Sequence, residues 1–266
     1  MTSWLATMLV LATGLAWAAP EPGSKPVISE PKDFSLKAIK LIKVSADSGG
    51  ILVRGGKQGS ARVLTVGSLN NCTITTEVRG PELVVEAKHP FMKTCLAGFA
   101  VEADVDVPVR LYAGSGDIEV SARRGMVEAD TGSGSILVKD AVGELVLRSG
   151  SGDIKAHAAA SKARAQSGSG SIELRKLFGS ADVMTGSGNI ALEWGRAPRS
   201  GEAEVKSGSG NIELVFPQGT KLASSMRTGT GSTSNELGDT PGADWRVSAT
   251  SGTGDVTIRG PAPKKR

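Results

Sequence analysis

Along most of this chain, apolar and polar residues alternate in short runs. Gly-Ser-Gly is followed by Asp117-Ile118-Glu119-Val120, Ser135-Ile136-Leu137-Val138 and Asp153-Ile154-Lys155-Ala156. The same pattern continues at Ser171-Ile172-Glu173-Leu174, Asn189-Ile190-Ala191-Leu192 and Asn211-Ile212-Glu213-Leu214. The second and fourth residues of each run are apolar, and the third is usually polar. A period of two predicts a strand with one face buried. A second strand closes each repeat, as in Val127–Thr131, Leu145–Ser149, Ala163–Ser167 and Ala181–Thr185. Nothing between them has the length or period of a helix.

The spacing is regular. The first glycines stand at Gly114, Gly132, Gly150, Gly168 and Gly186, 18 residues apart. Gly208, Gly229 and Gly252 follow at steps of 22, 21 and 23. A fixed period with identical residues at identical offsets predicts a parallel solenoid, each coil pairing with the next at about 4.8 Å. Ile118, Ile136, Ile154, Ile172, Ile190 and Ile212 should form one buried ladder. The glycines are expected to permit bends and unusual φ values. Ser115, Ser133, Ser151, Ser169, Ser187 and Ser209 are expected to form a hydroxyl ladder at the corner.

The region before Tyr112 is less regular. Ser48-Gly49-Gly50-Ile51-Leu52-Val53 reads as a worn copy of the turn and strand, and Leu83–Ala87 and Phe99–Ala103 as further strands. The expected organisation is an export signal at 1–18, a Pro-rich leader at 19–34, irregular β coils forming a cap at 35–111, the repeat solenoid at 112–260, and a basic tail at 261–266. Trp4 to Ala18 carries no charge and ends Ala16-Trp17-Ala18, a signal-peptidase pattern. The mature chain is therefore expected outside the cytoplasm, periplasmic or extracellular, with no integral membrane span. Cys72 and Cys95 are the only cysteines, and an oxidising compartment would join them within the cap.

Composition narrows the function classes. Glycine makes up 35 of 266 residues without a three-residue period, which excludes collagen. Aromatics are 4% and the net charge is +4, without a basic run before Lys264-Lys265-Arg266. Nucleic acid is not an expected partner.

The repeated Gly-Ser-Gly-Asp-Ile units, entered through Val105-Asp106-Val107-Pro108-Val109-Arg110-Leu111, resemble the bacterial putative-adhesin family of exported domains of unknown function. The resemblance spans about Leu36 to Arg259 and is strongest from Val105 to Leu214. It implies a right-handed parallel β-helix outside the cytoplasm, adhesin-like in role, and carries over no catalytic residue.

Chemistry adds little to that expectation. The position after Gly-Ser-Gly reads Asp117, Ser135, Asp153, Ser171, Asn189, Asn211, Ser232, Asp255. Acids never fall in consecutive repeats, which argues against a calcium column and for turn capping. No metal or cofactor is expected. A polysaccharide lyase or glycosidase is the alternative reading, because such enzymes use parallel β-helices. No pair of carboxylates with supporting groups stands out, so a non-catalytic module is preferred. The later repeats are lengthened at one corner, by Gly195–Gly201, Pro217–Gly219 and Leu237–Asp244. Insertions at one corner often line a binding edge. Trp194, Arg196, Arg199 and Trp245 are its candidate residues, with the tryptophans projecting outward. A cell-envelope polymer, a glycan or a surface protein is the expected partner.

Overall fold

The computed structural model describes residues 27–69, 71–90, 93 and 95–262. The expected signal peptide, residues 19–26 of the leader and residues 263–266 of the tail lie outside the described residues. Those described are all-β, with no helix among them. They form two compact units, Met1–Leu137 and Val138–Arg266.

The amino-terminal unit contains β1 (Val27–Ile28), β2 (Lys32–Ser35), β3 (Leu41–Ala46), β4 (Ile51–Gly56), β5 (Ser60–Ser68) and β6 (Thr73–Arg79). It continues with β7 (Glu82–Lys88), β8 (Leu96–Asp104), β9 (Val109–Ala113), β10 (Ile118–Arg123) and β11 (Val127–Thr131). Strand β12 (Ile136–Ser149) runs on into the second unit. The worn copy is a genuine repeat strand: Ile51 in β4 lies in parallel register with Ile118 in β10. Strand β4 also pairs in parallel with β8, and β3 pairs with both β7 and β9. The first coil in the chain therefore lies between the second, β7 and β8, and the third, β9 and β10. Stacking is not in chain order here, contrary to expectation.

The outer sides of β7 and β8 are covered by antiparallel strands, β6 on β7 and β5 on β8. Strands β1 and β2 then add to β5, also antiparallel. The described part of the leader is thus paired β-structure and not a loose extension. Cys72 and Cys95 are joined, tying the segment before β6 to the segment before β8.

Arg123 secures the crossover between β8 and β9. It is 1% exposed and donates to the carbonyls of Ala103 (2.8 Å) and Val107. Burial pushes its pKa down to about 10, against the opposing pull of Asp104 and Asp106.

The second unit contains β13 (Ile154–Ser167), β14 (Ile172–Leu177), β15 (Ser180–Ser187), β16 (Ile190–Trp194) and β17 (Gly201–Ser209). It closes with β18 (Ile212–Val215), β19 (Ala223–Thr230), β20 (Thr233–Asn235), β21 (Trp245–Thr253) and β22 (Val256–Arg259). Ile154, Ile172, Ile190 and Ile212 align in parallel register and are buried. Each such side chain contributes roughly 1.5–3 kcal/mol by leaving water. Ile118 and Ile136 are buried in the first unit.

After Ile212 the order changes. Val256, and not Thr233, lies against Ile212, and Thr233 pairs with the far side of Val256. The parallel partner of β17 is likewise β21, with β19 outside it. The last coil in the chain is inserted one position in from the outermost.

The repeat motif has a physical cause beyond the φ freedom expected of it. A Cβ on Gly170 would lie 2.1 Å from the carbonyl oxygen of Gly152 in the preceding repeat. Neither glycine needs a positive φ. There the constraint is close backbone approach between coils, and Gly210, Gly231 and Gly254 of the later repeats also take the expected positive φ, 150°, 139° and 132°. The hydroxyl ladder belongs to the residue before the first glycine. Ser167, Thr185, Ser207 and Ser251 are buried and donate to the carbonyls of Gly152, Gly170, Gly188 and Gly210 at 2.8–3.0 Å. Ser167 also accepts the Gly170 N–H at 2.9 Å. The central serines, Ser115 to Ser209, are instead exposed.

Candidate functional site

The lengthened corner lies wholly in the second unit. Its loops leave β16, β18 and β20, and a run of large apolar residues sits beneath them. Ile190 and Ile212 are each followed four residues later by an aromatic, Trp194 and Phe216. Because β16 and β18 are in register, these rings stack, with centroids 4.2 Å apart and planes 17° from parallel. Trp245 meets both edge-on, at 6.0 and 6.5 Å. Such geometry suits the opposed charges of ring face and ring edge.

Trp194 is 2% exposed and Trp245 is fully buried. The expectation that they project outward is corrected: both are core. Trp194 donates its indole N–H to the Gly179 carbonyl at 3.0 Å, which further fixes it inward. Gly201 gives Trp245 its room. A Cβ there would lie 2.8 Å from the indole ring, and its φ of +129° also favours glycine. Phe216 was missed in the sequence, although its offset from Ile212 matches that of Trp194 from Ile190.

The two arginines do face solvent. Arg196 lies over the Phe178 ring, its guanidinium carbon 4.2 Å from the centroid, which orients the cation. Arg199 follows the buried Pro198. The loops themselves are held firmly. Thr220 donates its hydroxyl to Pro217 at 2.7 Å, and Asn235 accepts the N–H groups of Leu237 and Gly238, both at 3.1 Å. Asp239 accepts the Ser224 N–H at 2.7 Å. The corner is a braced surface over an aromatic core.

The residues after Gly-Ser-Gly form a second polar ladder. Asp153 accepts the Ser171 N–H (2.9 Å), Asn189 that of Asn211 (2.9 Å), and Asn211 that of Asp255 (2.9 Å). Asp255 accepts both the N–H and the hydroxyl of Ser232, which holds its carboxyl below the usual range. In the first unit Asp117 accepts the Ser135 N–H at 2.7 Å. These side chains cap the turns, as expected, but they cap the turn of the neighbouring coil.

Parallel coils in register, corner glycines in close contact and an irregular amino-terminal cap agree with the profile of one family, Toastrack DUF4097, which matches residues 42–259. The chain belongs to the Toastrack DUF4097 family. Solved structures agree on the fold. One is named a putative adhesin, from Bacteroides fragilis NCTC 9343; it is 14% identical, with a TM-score of 0.60 over 90% of this chain and 99% of its own. Another is named a putative lipid binding protein, from Parabacteroides distasonis ATCC 8503; it is 14% identical, with a TM-score of 0.51 over 89% of this chain and 98% of its own. Comparison with curated proteins gives no match. At these identities the likeness concerns the fold: an all-β, mostly parallel, Toastrack-like solenoid. No helix among the described residues is long and apolar enough to cross a membrane.

Proposed function

We propose that this Toastrack chain is an exported, non-catalytic module of the bacterial cell envelope, built as a right-handed parallel β-helix and serving in binding or scaffolding. One observation carries the reading: the polar side chains of the repeat are engaged in joining coil to coil. The turn acids and amides accept backbone N–H groups, and the buried hydroxyls donate to glycine carbonyls. A repeat that uses its functional groups this way serves rigidity and leaves recognition to edges and loops. The braced corner supplies such an edge, with Arg196 and Arg199 as its contact groups and the tryptophans as backing. The disulfide supports export, since such bonds persist in oxidising compartments. The adhesin name of the Bacteroides fragilis neighbour accords with a surface role.

Fractionation of the producing bacterium, followed by pull-down of envelope fractions on the purified chain, tests the reading. Export and retention of an envelope polymer or surface protein are expected. Arg196→Ala with Arg199→Ala should weaken retention and leave the melting temperature unchanged. Residence in the cytoplasm, or turnover of a polysaccharide by the pure protein, would overturn it.

A further inference from the structure

The amino-terminal unit contains a cleft that the corner argument does not use. Strands β2, β5 and β8 place Asp33, Arg62 and Glu102 abreast on neighbouring antiparallel strands. Arg62 holds Asp33 in a two-pronged pair, at 2.7 and 3.0 Å. This row forms one side of a cleft of about 690 Å³, which Phe34, Lys57 and Ser60 also line. Ligand sites commonly enclose about 300–1,000 Å³. The turn bearing Lys57 and Ser60 is fixed from behind, where Gly59 donates its N–H to Asp104 at 2.6 Å.

We propose that this cleft binds a neutral carbohydrate, which rests on the envelope-binding reading and gives it a ligand class. The charged groups named, Lys57 and Arg62 against Asp33 and Glu102, sum to zero, so the lining favours neither anion nor cation. Lys57 and Glu102 make no ion pair among the described residues, though Glu102 lies opposite Arg62 and in its field, so an ammonium and a carboxylate remain to bond hydroxyls. The Arg62–Asp33 pair offers a rigid planar edge of donors and acceptors suited to vicinal diols. Phe34, half-buried and on the opposite side of β2 from Asp33, also lines the cleft and supplies an apolar face for the C–H side of a sugar ring.

Amide chemical shifts of the full chain, titrated with N-acetylglucosamine tetrasaccharide and with maltotetraose, test the proposal, with tetragalacturonate as the acidic comparison. Saturable shifts at Ser35, Gly59 and Ser60 are expected with at least one neutral probe. Phe34→Ala and, with its shape conserved, Glu102→Gln should each weaken that binding about tenfold. No saturable shift at these residues with either neutral probe overturns the assignment, as does tighter binding of tetragalacturonate or full binding by both variants. If these arms fail while envelope fractions are still retained, the cleft assignment falls and the envelope reading stands.

Discussion

Each unit ends its stack of parallel strands differently, although both face the same problem of unpaired edges that invite association. In the amino-terminal unit the outermost coil, β7 and β8, is covered. Antiparallel β6 and β5 lie on it, and β1 and β2 extend the cover. Leu52 of β4, Leu64 of β5 and Ala100 of β8 form a small buried cluster. In the second unit the outermost coil, β19 and β20, pairs on one side only among the described residues. Its composition protects it instead. Where the inserted coil has Val247, Ala249, Val256 and Ile258, the outer one has Ser224, Met226, Thr233 and Asn235. The amino-terminal unit covers its edge with further strands, while the second replaces three of these four apolar positions with polar residues and keeps only Met226. In both, the first or last parallel coil in sequence is clamped between two others.

The largest effects should fall where this comparison separates core from cap. Ile258→Ala in the inserted coil is expected to cost about 2–5 kcal/mol, and Trp194→Ala or Trp245→Ala about 3–5 kcal/mol, by urea unfolding. Thr233→Ala, on the coil outside, should stay within about 0.5 kcal/mol. Equal losses at Ile258 and Thr233 would mean that the outer coil is core, and a tryptophan variant of unchanged stability would return that ring to the surface.

Next comes the covered end. The Cys72–Cys95 bond closes a loop with a sequence separation of 23 residues. Removing it by Cys72→Ser with Cys95→Ser should cost about 3 kcal/mol by the chain-entropy argument. Hydrogen exchange should quicken in β6 and β8 and remain unchanged in β19 to β22. Uniform quickening would show that the two ends do not unfold independently.

Much of this was legible in the chain. The period of two, the 18-residue step and the isoleucine ladder are local patterns repeated, and parallel register preserves them in space. Strand exchange at the ends was not read, yet its signal was present. Gly229-Thr230-Gly231-Ser232-Thr233-Ser234-Asn235 has lost its apolar pair, while Val256-Thr257-Ile258 keeps it. A stack must end on its polar coil, so the last repeat in sequence could not be the last in space. The amino-terminal exchange had no comparable mark, because β3, β4, β7 and β8 are all apolar inward and only pairing distinguishes them. For the corner tryptophans, offset and not residue type decides the side. Trp194 stands at an inward position counted from Ile190, and period alone places it inside. The serines were misassigned because two hydroxyl positions lie two residues apart, and only the one preceding the first glycine reaches a carbonyl of the neighbouring coil.

That distinction gives a smaller effect. Ser251 is buried in the inserted coil and donates to Gly210 at 2.8 Å; Thr228 makes the equivalent bond to Gly254 at 2.8 Å in the outer coil, half-exposed. Ser251→Ala leaves a part-buried carbonyl without its donor and should cost about 1–2 kcal/mol. Thr228→Ala should cost less, since water can replace the hydroxyl. The exposed Ser209→Ala should change nothing measurable in the same unfolding assay.

A last effect, read by acidification, concerns Asp104 in the amino-terminal unit. Its carboxylate accepts the Gly59 N–H at 2.6 Å and the Asp106 N–H at 3.1 Å. The Gly59 bond is the larger cause of a pKa held below the usual value, and burial opposes it. The folded pKa is therefore depressed relative to the unfolded value of about 3.9. The native state binds its proton less readily, so the stabilisation is complete above that unfolded value and is lost as pH falls through the folded one. Asp104→Asn retains an acceptor oxygen without the charge and removes the acid-dependent part. Melting curves from pH 7 to pH 2 should show wild type and variant converging below about pH 4, with the variant less stable above it. A constant gap across that range would assign the Gly59 contact to shape alone. Asp255 provides the comparison at the other end: it is also depressed by hydrogen bonds, to the N–H and hydroxyl of Ser232, but fully exposed to solvent. Asp255→Asn should shift the acid limb less than Asp104→Asn does. The reverse order would mean that the outer polar coil, and not the covered edge, is the acid-sensitive end.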